Sequence, residues 1–191
     1  MPELSRKLSE LLGYMDQTRA ALFATAGQIS PSFASVRPRN GDWSAAQVLA
    51  HLAMVEDGIG RLTSKAIKKA REDGVGPNNA DESMISSLDK YRIIETETKR
   101  VAPATITPVE ERPLEDSRAA LEQSRTRLRE VLIAADDIDL SSTRKPHPVM
   151  GDLNIYEWAL FVAQHEERHR RQIERTLNEV TELAAECAPI V

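Results

Sequence analysis

From about Leu153 to Cys187, apolar residues recur at intervals of three and four. Trp158, Val162, Ile173 and Leu177 share one helical face, with His165 and His169 at the two positions between them. That period draws a single stripe along a long helix and leaves the other face polar. A stripe of this kind must be buried against others like it. The chain supplies them. From roughly Glu3 to Ala26, Leu4, Leu8, Leu11, Leu12, Met15 and Leu22 form a stripe that Thr18 and Arg19 interrupt for one turn. A second helix is expected after Asp42 or Ser44, either of which can accept from the free N–H groups of a first turn. Its stripe is Val48, Leu52, Val55, Ile59 and Leu62, and it continues through "SKAIKKAR" to "EDGVGPNN". A third runs from about Leu114 to Ala135 with Leu121, Leu128, Val131 and Leu132 inward. "DESMISSLDKYRIIETETKRV", from Asp81 to Val101, reads as a shorter helix with a weaker stripe. "APATITPVEERP" and "DDIDLSSTRKPHPVMGD" read as connections. No run of alternating β-branched residues exceeds a few positions. The expected fold is all-α: a four-helix bundle with long connections, forming one domain over residues 1–191.

The bulk numbers narrow the function. A net charge of -5 over 191 residues argues against general affinity for nucleic acid or an anionic membrane. A single cysteine, Cys187, cannot staple the fold or build a thiolate cluster, so a reducing cytoplasm is the expected setting. The first residues, "MPELSRKLSELLGYMDQ", carry charges throughout and lack the apolar core of a signal peptide. No uninterrupted apolar run is long enough to span a bilayer.

His165 and His169 lie in "HEERH", one helical turn apart on the apolar face. A histidine on a core face costs free energy unless its ring nitrogens find partners. His51, beside Leu52 on the second helix, is a third such residue. Three together point to a divalent cation, since bundle interiors are where helical proteins build such sites. Neutral imidazoles suit Zn²⁺ but also Ni²⁺, Fe²⁺ and Cu²⁺. The string also matches the metalloprotease pattern H-E-x-x-H. The longer forms of that pattern fail: Gln172 and Arg175 stand where a metzincin needs Gly and His, and Glu182 and Glu186 lie on the same helix. No strand offers to hold a peptide, so a zincin peptidase is not expected. Glu166 has two readings. It is either a base for a metal-activated water or a solvated member of "EERHRR".

Other residues carry weaker signals. Trp43 and Trp158 read as packing residues, with Trp43 a candidate for lining a pocket. Gln47, one turn before His51, is a candidate for orienting a ligand or else a surface residue. Glu56 is placed on a different part of its helix from His51. Glu157 is either solvated or a carboxylate holding a histidine ring. His147, between Pro146 and Pro148, is expected in a loop and not as a ligand. Arg168, Arg170, Arg171 and Arg175 read as a salt-bridged face.

Two segments together resemble the DinB-like, YfiT-type superfamily of metal-binding four-helix bundles. "DWSAAQVLAHLAMVED" is similar to its tryptophan-then-serine helix start with a histidine eight residues after the Trp. "HPVMGDLNIYEWALFVAQHEERHRRQI" is similar to its His-Pro and Gly loop, Glu-Trp, and H-x-x-x-H followed by Gln. The proline-rich stretch before the third helix has the same look. The likeness covers roughly Leu8 to Leu177. It implies an up-down-down-up bundle with His51, His165 and His169 as ligands of zinc or nickel. It also implies either a transferase using a low-molecular-weight thiol or a hydrolase, acting on a small molecule, and a homodimer. A non-catalytic, stress-associated metal-binding bundle is the alternative. A helical interaction module without metal is a third reading.

Overall fold

The computed structural model describes residues 4–78, 82–96, 102–108 and 112–186, with the side chains of the last helix as far as residue 182. Cys187 lies outside them. Four long helices are present: α1 (Arg6–Ala26), α2 (Ala45–Glu72), α3 (Leu114–Ile133) and α4 (Ile155–Glu186). Local chemistry sets where they start. The Ser5 hydroxyl accepts from the Leu8 N–H at 3.3 Å and donates to Asp136 at 2.5 Å, so the α1 cap is tied to the chain beyond α3. At α2 the cap is Ser44 rather than Asp42. Its hydroxyl accepts from the Gln47 N–H, and the Gln47 side chain accepts from the Ser44 N–H, a reciprocal capping box. Gln47 is half-buried, and its side-chain oxygen is committed to the cap. Asn154 and Glu157 make the same exchange at the start of α4, at 2.9 and 2.8 Å. α3 follows Pro113 and places Glu115 and Asp116 in its first turn, where the helix dipole favours anions.

Contacts between helices fix their directions. Lys7 lies over the Tyr156 ring, and Arg19 meets Glu166 farther along both helices, so α1 and α4 run the same way. Asp57 meets Arg127 and Arg71 meets Asp137, so α2 and α3 run the same way. His51 meets His165 while Trp43, earlier on the chain, meets His169, so α2 and α4 are antiparallel. The bundle is up-down-down-up. Neighbouring α2 and α3 are parallel, which is why a long connection must separate them.

The core is divided by a polar layer. One apolar cluster includes Leu8, Met15, Ile59, Leu128 and Ala163. The other includes Leu22, Leu52, Leu121 and Ile173. On every helix a buried charge sits between the two clusters: Arg19, Glu56, Arg125 and Glu166. The break at Thr18 and Arg19 in the first stripe is therefore no exposed turn; both residues are buried.

Two expectations are corrected. The helix expected over Asp81 to Val101 is absent among its described residues, 82–96. They form turns and one short 3-10 segment, Asp89–Tyr91. Met84, Leu88 and Ile93 are buried there, and Arg92 adopts a left-handed conformation (φ 49°) that ends any helical run. The start expected for α4 near Leu153 and the loop before it contain instead an antiparallel hairpin, β1 (Arg144–His147) and β2 (Gly151–Asn154). Gly151 takes φ 74° at its turn, a conformation easiest without a Cβ. The His147 Nδ1 accepts from the Val149 and Met150 N–H groups at 3.2 and 3.3 Å and holds the turn together. His147 ends a strand rather than lying in a loop. Trp158 packs beneath the hairpin and donates to the Lys145 carbonyl at 3.3 Å.

Candidate metal centre

α2 and α4 bring His51, His165 and His169 together. One ring nitrogen from each lies within 4.8 Å of the others. Nε2 of His165 is 3.4 Å from Nε2 of His51 and 3.1 Å from Nε2 of His169. Two of the outward nitrogens are engaged. His51 Nδ1 is 2.7 Å from the Ile106 carbonyl, and His169 Nδ1 is 2.7 Å from the Gln172 side-chain oxygen. Both partners are acceptors, so each Nδ1 carries the proton and each Nε2 presents a lone pair to the common centre.

Electrostatics keep these lone pairs free. Burial pushes His51 below the ordinary histidine range, against the raising effect of the Ile106 hydrogen bond. Burial, with His169, His51 and Arg168 nearby, holds His165 well below it. Burial and His51 lower His169 to about 3, although Gln172 opposes the shift. At neutral pH all three rings are uncharged, the form that binds metal.

The donor set fits a cation. Three nitrogens at about 2.0–2.1 Å from a tetrahedral centre are separated by roughly 3.3–3.4 Å. The two Nε2 separations given above are close to that spacing. Without a cation, inward lone pairs would repel at these distances unless a proton were shared between them.

Aromatic rings wall the cluster. Trp43 lies 4.8 Å from the His51 ring and stacks on His169 at 6.5 Å. Phe161 stacks on His165 at 5.1 Å, and His147 meets Phe161 edge-on at 4.8 Å. Trp43 thus packs on the histidines themselves, which the sequence reading did not distinguish from ordinary core packing. His51 and His169 are buried, while His165 is half-buried.

Glu166 points into the divided core. Its carboxylate accepts from Thr18 at 3.1 Å, Arg19 at 2.6 Å and Arg125 at 3.0 Å. It is 1% exposed, which overturns the reading of a solvated run member. A role as base would have to draw on a carboxylate already holding two guanidinium groups. Glu56, placed by the sequence reading on a separate part of its helix, is the other buried carboxylate. It accepts from Arg19 and Arg125 at 2.6 Å each and from Ser124 at 2.9 Å. Glu157 serves the α4 cap rather than a histidine ring.

The arginine run matches its structural reading in part. Arg170 and Arg171 pair with Glu167, and Arg168 donates to the Ile93 and Glu95 carbonyls. Ile106 was not foreseen, because a backbone carbonyl leaves no mark in side-chain pattern. Gln172, one turn beyond His169, did leave one.

A family model of the DinB superfamily matches residues 14–173. The chain belongs to the DinB superfamily. The match takes in all three histidines and ends on the residue after Gln172. Among solved structures, this DinB-superfamily chain is similar to TT2238, described as a four-helix bundle protein. The identity is 24%, the TM-score is 0.58, and the alignment covers 88% of this chain and 98% of that one. That likeness speaks for the fold. No curated protein matches the sequence. Among the described residues, no helix is long and apolar enough to cross a membrane.

Proposed function

We propose that this DinB-superfamily chain holds a divalent metal ion, zinc or nickel, through His51, His165 and His169, and that it is a metal-dependent enzyme of the thiol-transferase or hydrolase type. The observation that carries the metal reading is the convergence of three Nε2 atoms, with the opposite ring nitrogens of His51 and His169 facing acceptors. A bound ion would supply Lewis acidity and would keep a low-molecular-weight thiol deprotonated at neutral pH. The chain's own part is to fix the tautomers through Ile106 and Gln172. Trp43 and Phe161 shield the rings from water. The half-buried His165 gives a small-molecule substrate its side of approach.

The burial of His51 (2% exposed) and His169 (8% exposed) favours a second reading, a bundle that holds metal without turnover. One set of measurements separates these. Purified protein should carry, or take up, one equivalent of metal, and added Zn²⁺ or Ni²⁺ should raise its melting temperature. No uptake and no shift would sink both readings. Turnover with a panel of thiols and electrophiles, lost on metal removal, would select the enzyme.

A further inference from the structure

The carboxylates of the buried charged layer belong to α2 and α4, the helices that carry the histidines. Its guanidinium groups belong to α1 and α3, which carry none. Glu56 follows His51 by five residues, and Glu166 directly follows His165. Each arginine touches both carboxylates. Arg19 is 2.6 Å from Glu56 and 2.6 Å from Glu166; Arg125 is 2.6 Å from Glu56 and 3.0 Å from Glu166. The four form a closed ring with no net charge. Further bonds lock it: Arg19 donates to the Leu121 carbonyl at 2.6 Å, and Arg125 donates to the Met15 carbonyl.

We infer that this Arg19–Glu56–Arg125–Glu166 ring is the positioning device of the histidine cluster, setting the spacing and rotation at which α2 presents His51 to His165 and His169. Apolar packing tolerates small slides between helices, since its contacts are non-directional. Charged, forked hydrogen bonds do not, because they need both distance and angle. Moving α2 along or around its axis relative to α4 would strain Glu56 against both arginines, away from water. A small cavity, about the size of one water molecule, is lined by Glu56 and Glu166 of the ring and by His165 of the cluster. Outside the histidines themselves, the charged ring is a directional tie that links the two helices through α1 and α3.

The inference rests on the metal reading, and the experiment separates the two. Co²⁺ is used as the probe, because its visible spectrum reports coordination geometry and a chelator competition gives its affinity. Wild type, Glu56→Gln, Arg125→Lys and Leu132→Ala are compared at a temperature where all are folded. Leu132 is fully buried and lies about two turns beyond Arg125 on α3, so its truncation lowers stability without touching the ring. Glu56→Gln should weaken Co²⁺ binding on the order of tenfold and alter the spectrum, as loss of a supporting shell does. Arg125→Lys keeps the charge but loses the fork; it should fall between Glu56→Gln and wild type, and stands in if Glu56→Gln does not fold. Leu132→Ala should keep the wild-type affinity and spectrum. Wild-type binding with unchanged affinity and spectrum in the ring variants overturns the positioning role alone. So does equal loss in Leu132→Ala. A wild type that binds no Co²⁺ overturns the metal reading and this inference with it.

Discussion

His51 and His169 face different partners through Nδ1, a backbone carbonyl and a side-chain amide. That difference makes the site testable residue by residue. His51→Ala and His169→Ala should each lose stoichiometric metal in elemental analysis; a His51→Ala protein that retains it would remove His51 from the ligand set. Gln172→Ala leaves the ligands in place but frees the His169 ring, and should weaken metal affinity by about 10–100-fold in competition titrations. Tyr156 offers a pH readout away from the histidines. Burial, reinforced by Asp136 and Asp139, pushes its hydroxyl up to about 12. In the unfolded chain it ionises near pH 10, so its contribution is full below about pH 10 and is lost as pH rises toward 12. Denaturation midpoints should fall across that window, and Tyr156→Phe should flatten part of the slope. An identical slope in Tyr156→Phe would assign the alkaline loss to other groups.

At the scale of elements, the helices were legible because each carries a stripe and a start signal. Ser44 and Gln47 show how local that signal is: two side chains satisfy each other's backbone at the start of α2, two turns before His51. Ser44→Ala breaks half of the box and should cost about 1 kcal/mol in urea denaturation. A loss near zero would mean that the buried Ala45, Ala46 and Val48 hold the helix start without it. The hairpin was not legible. Its strands are four residues each, and of their side chains only Leu153 is buried. Two residues of alternation cannot be told from a loop. The segment from 82 to 96 misled for the opposite reason. Met84 and Leu88 are spaced as in a helix, but they anchor turns against the bundle, and Tyr91 donates to the Met150 carbonyl of the hairpin turn at 2.6 Å.

At the scale of the whole molecule, one charge from each helix meets in the core. Removing one partner leaves a buried charge without compensation, so Arg125→Met should destabilise by about 3–5 kcal/mol in chemical denaturation. A loss below about 1 kcal/mol would mean that water enters the layer and that the ring does not bind the bundle together. Such layers also limit how helices can slip, because an apolar stripe alone accepts several registers. The ring shows why Glu166 was ambiguous in sequence. Neighbouring residues on a helix point about 100° apart, so Glu166 leaves α4 toward α1 and α3 while His165 faces α2.

The sequence by itself determined the helical architecture and the candidate ligands. Period and spacing are local: stripes set the helices, and the four-residue interval of His165 and His169 sets their shared face. Only the tertiary structure decided that His51 reaches them, that Ile106 and Gln172 fix the tautomers of His51 and His169, and that Glu56 and Glu166 are both buried against two arginines. Those facts depend on how α2 and α4 are rotated toward each other across more than a hundred residues of chain. Helical periodicity fixes which side chains share a face, but it carries no information about which face of another helix that side will meet.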